Sequence, residues 1–174
     1  MQVNVTGTLN VLEALRESPD VKVIFTGSTG AYGSGTKLKE EFRMKPGTIM
    51  GVSKACASLL LGTYAQLYNM KSVELRLFAP FGPWESRARL IPHVITSALI
   101  GNDIRMTSGE QQRDYLYIGD VIDAMILSAT SCVAPGTILN IGSGRGMAIR
   151  DVAEQILRLM ENPVRLLVGT LPTR

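Results

Sequence analysis

A chain of 174 residues, 45% apolar and 19% charged, can build one globular domain with a sizeable core and is too short for two independent ones. Its formal charge of +3 is spread along the sequence without a block of consecutive basic residues, which argues against a nucleic-acid or membrane partner held by clustered charge. Cys56 and Cys132 lack metal-ligand spacing and read as small thiols of a reducing, cytoplasmic setting, and neither a leader segment nor an apolar run of membrane-spanning length is visible.

Val5, Leu9, Leu12 and Leu15 recur at helical spacing across residues 2–17, and Ser18-Pro19-Asp20 stops that helix. Residues 21–26 form a short β run, apolar on both faces as in buried parallel strands. The segment 33–47 carries Lys37, Lys39, Glu40, Glu41, Arg43 and Lys45 and reads as a solvated loop. Residues 48–69, rich in Ala and Leu, predict a long amphipathic helix. A second β run over 72–78 is ended by Ala79-Pro-Phe-Gly-Pro83. Helices are expected over 90–100, 119–130 and 149–160, with Asp120 and Asp123 near the positive end of the second. Short strands are expected over 104–107, 137–141 and 164–168, with turns at Ser108-Gly109-Glu110 and over 142–146. Strands alternating with helices of this length predict an α/β fold built from crossover units around a parallel sheet.

Two segments bear chemistry. Phe25-Thr-Gly-Ser-Thr-Gly-Ala-Tyr-Gly33 ends a strand in small and hydroxyl residues, and Met50-Gly-Val-Ser-Lys54 opens the long helix with a lysine one turn in. A strand end presenting Ser28 beside a helix presenting Lys54 is a proton-handling arrangement. The glycine-dense turn Gly142-Ser-Gly-Arg-Gly146 has G-x-G-x-G spacing rather than the dinucleotide G-x-G-x-x-G, with no acidic residue at ribose distance, so it reads as a tight turn feeding a helix.

These segments, with Gln111-Gln-Arg-Asp-Tyr-Leu-Tyr-Ile-Gly-Asp120, resemble the extended short-chain dehydrogenase/reductase family, the NAD-dependent nucleotide-sugar epimerases and dehydratases. The resemblance covers nearly all of this chain but only about the later half of a family member, the glycine-rich first half being absent. It implies a partial Rossmann-like sheet over 1–83 and a small α/β substrate-binding subdomain over 84–174. An exposed sheet edge along 21–26 follows.

In that family a Ser/Thr on the strand works with a Tyr-x-x-x-Lys pair on the helix. Ser28 matches the first and Lys54 the lysine, while Met50 stands in the tyrosine position. A thioether has no exchangeable proton and cannot act as the phenol does. Tyr32 is a candidate substitute, although the family uses it for packing. NAD or NADP is the implied cofactor, with Thr26, Lys54 and Phe78 at its binding site. A nucleotide sugar is the implied substrate, with Thr29 beside it, Leu90 lining its base, and Arg113 and Arg174 on its phosphates. The alternative for Arg113 is a local pair with Asp114 or Asp120. Thr29 and Gly30 occupy the places of the dehydratases' Asp-Glu pair, which points to an epimerase- or ketoreductase-like member. Phe78-Ala79-Pro80 replaces the usual Phe-Asn-Pro. Trp84 reads as either the wall of a sugar pocket or a loop anchor, and His93 as a surface or packing residue. The family's dimer helices match 2–17 and 48–69, so a homodimer is implied. A non-catalytic dimeric module of the same fold is the alternative to an enzyme.

Overall fold

The computed structural model describes residues 1–161 and 164–172. The chain divides into two compact units, Met1–Phe78 with Gly119–Gly142 and Ala79–Ile118 with Ser143–Arg174.

The first unit is built on a parallel sheet of three strands, β1 (Val23–Ser28), β2 (Ser72–Leu77) and β6 (Thr137–Ile141), in the order β1-β2-β6. β2 lies at its centre, and Val73 and Leu75 are fully buried. A π-helical turn, Gln2–Gly7, runs into α1 (Thr8–Leu15), and α2 spans Ile49–Tyr68. Leu12 of α1 packs with Leu61, Tyr64 and Met70, flanked by Val23 and Phe25 of β1. α2 begins at Thr48, whose hydroxyl accepts from Gly51 N–H at 3.0 Å, and ends on Asn69 in the left-handed conformation. α4 (Ile118–Thr130) receives its cap from a distant lysine: Lys22 Nζ donates to the carbonyls of Ser128 at 2.5 Å and Ser131 at 2.6 Å.

β1 pairs only with β2 among the described residues, so it forms the sheet edge expected over 21–26 and one row of its backbone groups faces outward. Two expectations change here. β1 is half-buried rather than enclosed on both faces. The segment 33–47 is more than a solvated loop. Glu40 Oε1 accepts from Asn140 N–H at 2.8 Å and Leu38 O from Asn140 Nδ2 at 3.0 Å, which ties the segment to β6.

The second unit holds a mixed sheet of β3 (Ala79–Phe81), β5 (Gln112–Tyr117) and β7 (Gly146–Ala148), with β3 parallel and β7 antiparallel to β5. β4 (Ile104–Arg105) and β8 (Leu166–Leu167) form a parallel pair. α3 (Leu90–Leu99) and α5 (Ile149–Leu159) enclose a core of Val94, Ala98, Ile104, Ala153 and Leu157. β3, β5 and β7 escaped the sequence reading. β3 contains Pro80, tolerated because the strand is at the sheet edge, and β5 opens with the exposed Gln112 and Arg113, where no apolar alternation signals a strand.

Candidate functional site

In the first unit the end of β1 meets the first turn of α2. Ser28 leaves the strand and its Oγ accepts from Gly30 N–H at 3.1 Å, capping the short helical turn Thr29–Ala31. The hydroxyl proton of Ser28 is thereby left to donate elsewhere. Close approach depends on glycine: a Cβ on Gly51 would lie 2.4 Å from Gly30 O, so a side chain at 51 would drive the helix off the turn. Ser53, two residues on, accepts from Asn4 Nδ2 at 2.9 Å and fastens the N-terminal helical segment to α2.

Lys54 reaches back across the sheet. Its Nζ donates to Thr26 O at 2.7 Å and lies 5.2 Å from the centre of the Phe25 ring. Thr26 and Ser28 are two residues apart on one strand, about 7 Å along it, so the lysine and the serine share one strand end. Burial holds the Lys54 ammonium below its ordinary pKa, and the carboxylate of Glu74 opposes that shift. Glu74 itself is buried in a polar network: it accepts from Arg76 Nε at 3.1 Å and from Ser58 Oγ at 2.5 Å, and Arg76 donates to Ser58 Oγ at 3.0 Å. Arg76 also lies 4.6 Å over the ring of Tyr32. Met50 is 53% exposed on the first turn of α2, four residues before Lys54. Thr29 is half-buried at the start of the short turn after Ser28. Phe78 follows Leu77, the residue paired with Ser28, and its N–H donates to Ile141 O at 3.0 Å. Tyr32 is no substitute for the missing phenol: it is buried and its hydroxyl donates to Asn140 Oδ1 at 2.9 Å.

The second unit carries a cavity of ≈ 250 Å³ whose lining includes Ala79, Glu85, Arg89, Leu90, Arg113 and Tyr115. Leu90 and Arg113 are thus brought together. Arg113 donates to Gln112 O at 3.0 Å and has no ion pair among the described residues. The local pairing with Asp114 does not form, because Asp114 is engaged elsewhere. Its Oδ1 accepts from Ser143 N–H at 2.8 Å and Ser143 Oγ at 2.6 Å, and its Oδ2 from Gly144 N–H at 2.9 Å. The glycine-dense turn is therefore a nest filled by the chain's own carboxylate, and those N–H groups are not open to a pyrophosphate. Arg174 lies outside the described residues.

Arg89 belongs to the segment Arg89-Leu90-Ile91-Pro92 that the family resemblance places along the nucleotide base, whereas Glu85 and Tyr115 were given no role by sequence. Arg89 Nε pairs with Glu85 Oε1 at 3.1 Å, an i,i+4 spacing that is a visible but common signal. Burial raises the Tyr115 phenol, against the pull of Arg113 and Arg89. Trp84 anchors nothing, since its side chain is fully solvated, and His93 lies on the surface. No group of metal-ligating side chains occurs among the described residues, and no described helix is long and apolar enough to cross a membrane.

The residues present fit a nicotinamide dinucleotide in part. The Lys54 ammonium beside Thr26 O supplies a donor for a ribose hydroxyl, whereas no glycine-rich phosphate cradle stands among the described residues.

Comparison with known proteins agrees with this fold. Among solved structures the chain is similar to UDP-N-acetylglucosamine 4-epimerase from Methanobrevibacter ruminantium M1, with 29% identity and a TM-score of 0.91 over 99% of this chain and 57% of that one. It is similar to UDP-glucose 4-epimerase from Thermotoga maritima at 25% identity and a TM-score of 0.90, again over 99% of this chain and 57% of that one. The dTDP-4-dehydro-6-deoxyglucose reductase of Escherichia coli is 32% identical over 161 residues, 88% of this chain and 50% of that protein. The chain spans about half the length of the curated relatives it matches. The family model for NAD dependent epimerases and dehydratases matches residues 1–142, a stretch that includes the Ser28 strand, the Lys54 helix and Arg113. The chain belongs to the NAD dependent epimerase/dehydratase family.

Proposed function

We propose that this chain carries the proton-handling and nucleotide-sugar-binding residues of an NAD(P)-dependent, epimerase- or ketoreductase-like member of its family, acting in the cytoplasm. The observation that supports this most is the Lys54 ammonium, 2.7 Å from Thr26 O on the strand that ends at Ser28. Lys54, with Thr26 and Phe78, would hold the nicotinamide end of NAD or NADP. The cofactor, when bound, exchanges hydride with a sugar carbon. Ser28, one of its two lone pairs taken by Gly30 N–H, would donate its proton to a sugar oxygen, and Thr29 stands beside it. Met50 has no proton to exchange, so general acid–base catalysis, typically worth ~10²–10⁴-fold, is lost at this position. Turnover of this chain is slow or absent. Thr29 and Gly30 offer no carboxylates for eliminating water, which favours epimerisation or keto reduction over 4,6-dehydration.

In the second unit, Arg113 and Arg174 would clamp the diphosphate and Leu90 would pack against the base. Every basic side chain of that unit except His93 is an arginine, the residue best suited to bidentate phosphate contacts. Isothermal calorimetry with UDP-glucose tests the reading. Binding weakened roughly 10–100-fold by Arg113→Ala, as loss of a charged hydrogen bond predicts, supports it. No binding by the wild-type chain refutes it. NAD, lacking a phosphate cradle here, should bind much more weakly than UDP-glucose.

A second reading is a non-catalytic homodimeric module. Met50 favours it, and so do the exposed apolar side chains Val3 and Val11 on the N-terminal helical segments and Leu59 and Leu67 on α2. A chain that dimerises but gives no heat with UDP-glucose would select this reading.

A further inference from the structure

The segment 82–89 connects β3 to α3 and supplies Glu85, Ala88 and Arg89 to the wall of the cavity. Its backbone is held at several points. Glu85 N–H donates to Gly82 O at 3.3 Å, Arg89 N–H donates to Ser86 O at 2.9 Å, and the Arg89 side chain pairs with Glu85 at 3.1 Å. Gly82 is wedged in place, since a Cβ there would lie 2.3 Å from Ile118 Cγ2. Inside this turn Trp84 adopts a φ of 69°, the left-handed region that bulky L-residues occupy only under constraint. Its side chain is 103% exposed, although a tryptophan commonly buries about 150–250 Å² when it has a partner.

Neither folding nor solubility accounts for this choice of residue. Glycine would take the same φ without strain, and a polar side chain would leave no apolar ring in water. Glu85, the covalent neighbour of Trp84, lines the cavity and pairs with Arg89, so the cavity presents Arg113, which has no ion pair among the described residues, beside the apolar Leu90 and Ile149. This is the chemistry of a ligand that joins an anionic group to a flat ring.

We infer that Trp84 is a ligand-binding residue, whose indole face stacks on a ring that a diphosphate-bearing ligand presents at the rim of this cavity. The inference rests on the reading of the cavity as a nucleotide-sugar site. Stacking on an exposed indole recruits it without any new backbone geometry, because the strained turn already points the ring outward.

Trp84 is the single tryptophan of the chain, so intrinsic fluorescence reports this residue alone. UDP and UDP-glucose are titrated into the whole chain while tryptophan emission and heat are recorded in parallel. The expected result is a saturable change in emission with the same midpoint as the heat of UDP-glucose binding. A change with UDP alone assigns the stacked ring to the base, and a change with UDP-glucose only assigns it to the sugar. Trp84→Ala should weaken calorimetric affinity about tenfold, the scale of one aromatic stack, while Trp84→Phe keeps most of it. Heat of binding with unaltered emission, and unaltered affinity in Trp84→Ala, would overturn the inference and leave the cavity reading standing. No heat with either ligand would overturn both.

Discussion

Met50 is the residue on which the proposed activity turns, because the groups around it would suit a phenol. Lys54 lies four residues along the same helix, held against Thr26 O at 2.7 Å, and Gly51 lets the helix approach the Ser28 turn. A tyrosine at this position would sit one turn from a partly desolvated ammonium, which favours the phenolate. Met50→Tyr should therefore introduce a phenol that ionises below the ordinary ~10, visible as an added step in a spectrophotometric titration against the parent chain. Tyr64 supplies an internal contrast: its hydrogen bond to the Glu13 carboxylate pushes its pKa up to about 12. The sign follows from linkage. A raised phenol contributes stability that is complete below the unfolded value of 10.0 and is lost as pH rises through about 12. The phenol of Met50→Tyr has the opposite sign, adding stability only as it ionises. If the new tyrosine titrates at or above 10, Lys54 does not act on position 50 and the account of the missing proton donor fails.

At the scale of elements, β1 and β2 are locked by a contact that neither strand announces on its own. Gly27 of β1 faces Glu74 of β2, and a Cβ on Gly27 would fall 2.3 Å from Glu74 Oε1 and 2.9 Å from its Cγ. Glu74 cannot swing away cheaply, since Arg76 and Ser58 hold both of its oxygens. Gly27→Ala should thus either splay the strands or break a buried ion pair, with a stability loss on the overpacking scale of about 1–3 kcal/mol. Chemical denaturation measures it, and an unchanged midpoint would mean the network is loose. This pair also shows where sequence reasoning stops. The strands and long helices of the first unit were legible because apolar side chains recur with the right period. Ser28 and Lys54 were legible because strand end and helix start each carry a local pattern. The link from Glu74 to Ser58 was not, since it joins positions 16 apart with no shared periodicity. For the same reason the Asp114 nest around Ser143 and Gly144 was invisible, and with it the reason that the glycine turn holds no phosphate. β5 and β7 are set by their pairing partners, since Arg113 and Asp114 carry no strand preference of their own.

For the whole molecule, the proposed homodimer has two candidate surfaces. One is the outward edge of β1, whose free backbone groups are a template for another strand. The other is the exposed side of α2, where Leu59 is 60% and Leu67 is 67% exposed, eight residues and so about two turns apart on one face. Val3 and Val11 add apolar surface on the N-terminal helical segments, fastened to α2 by Asn4 and Ser53. A helical face of this kind closes into a symmetric pair in which each copy buries the same patch, whereas an open strand edge has no limit built into it. The helical route therefore predicts a discrete dimer and the edge predicts growth with concentration. Sedimentation velocity at tens of micromolar should show a single dimer, and Leu59→Glu with Leu67→Glu should convert it to a monomer of unchanged circular dichroism. A wild-type chain that stays monomeric would dismiss the helical interface. Continued association of the double variant into species of rising size would assign the contact to β1 instead.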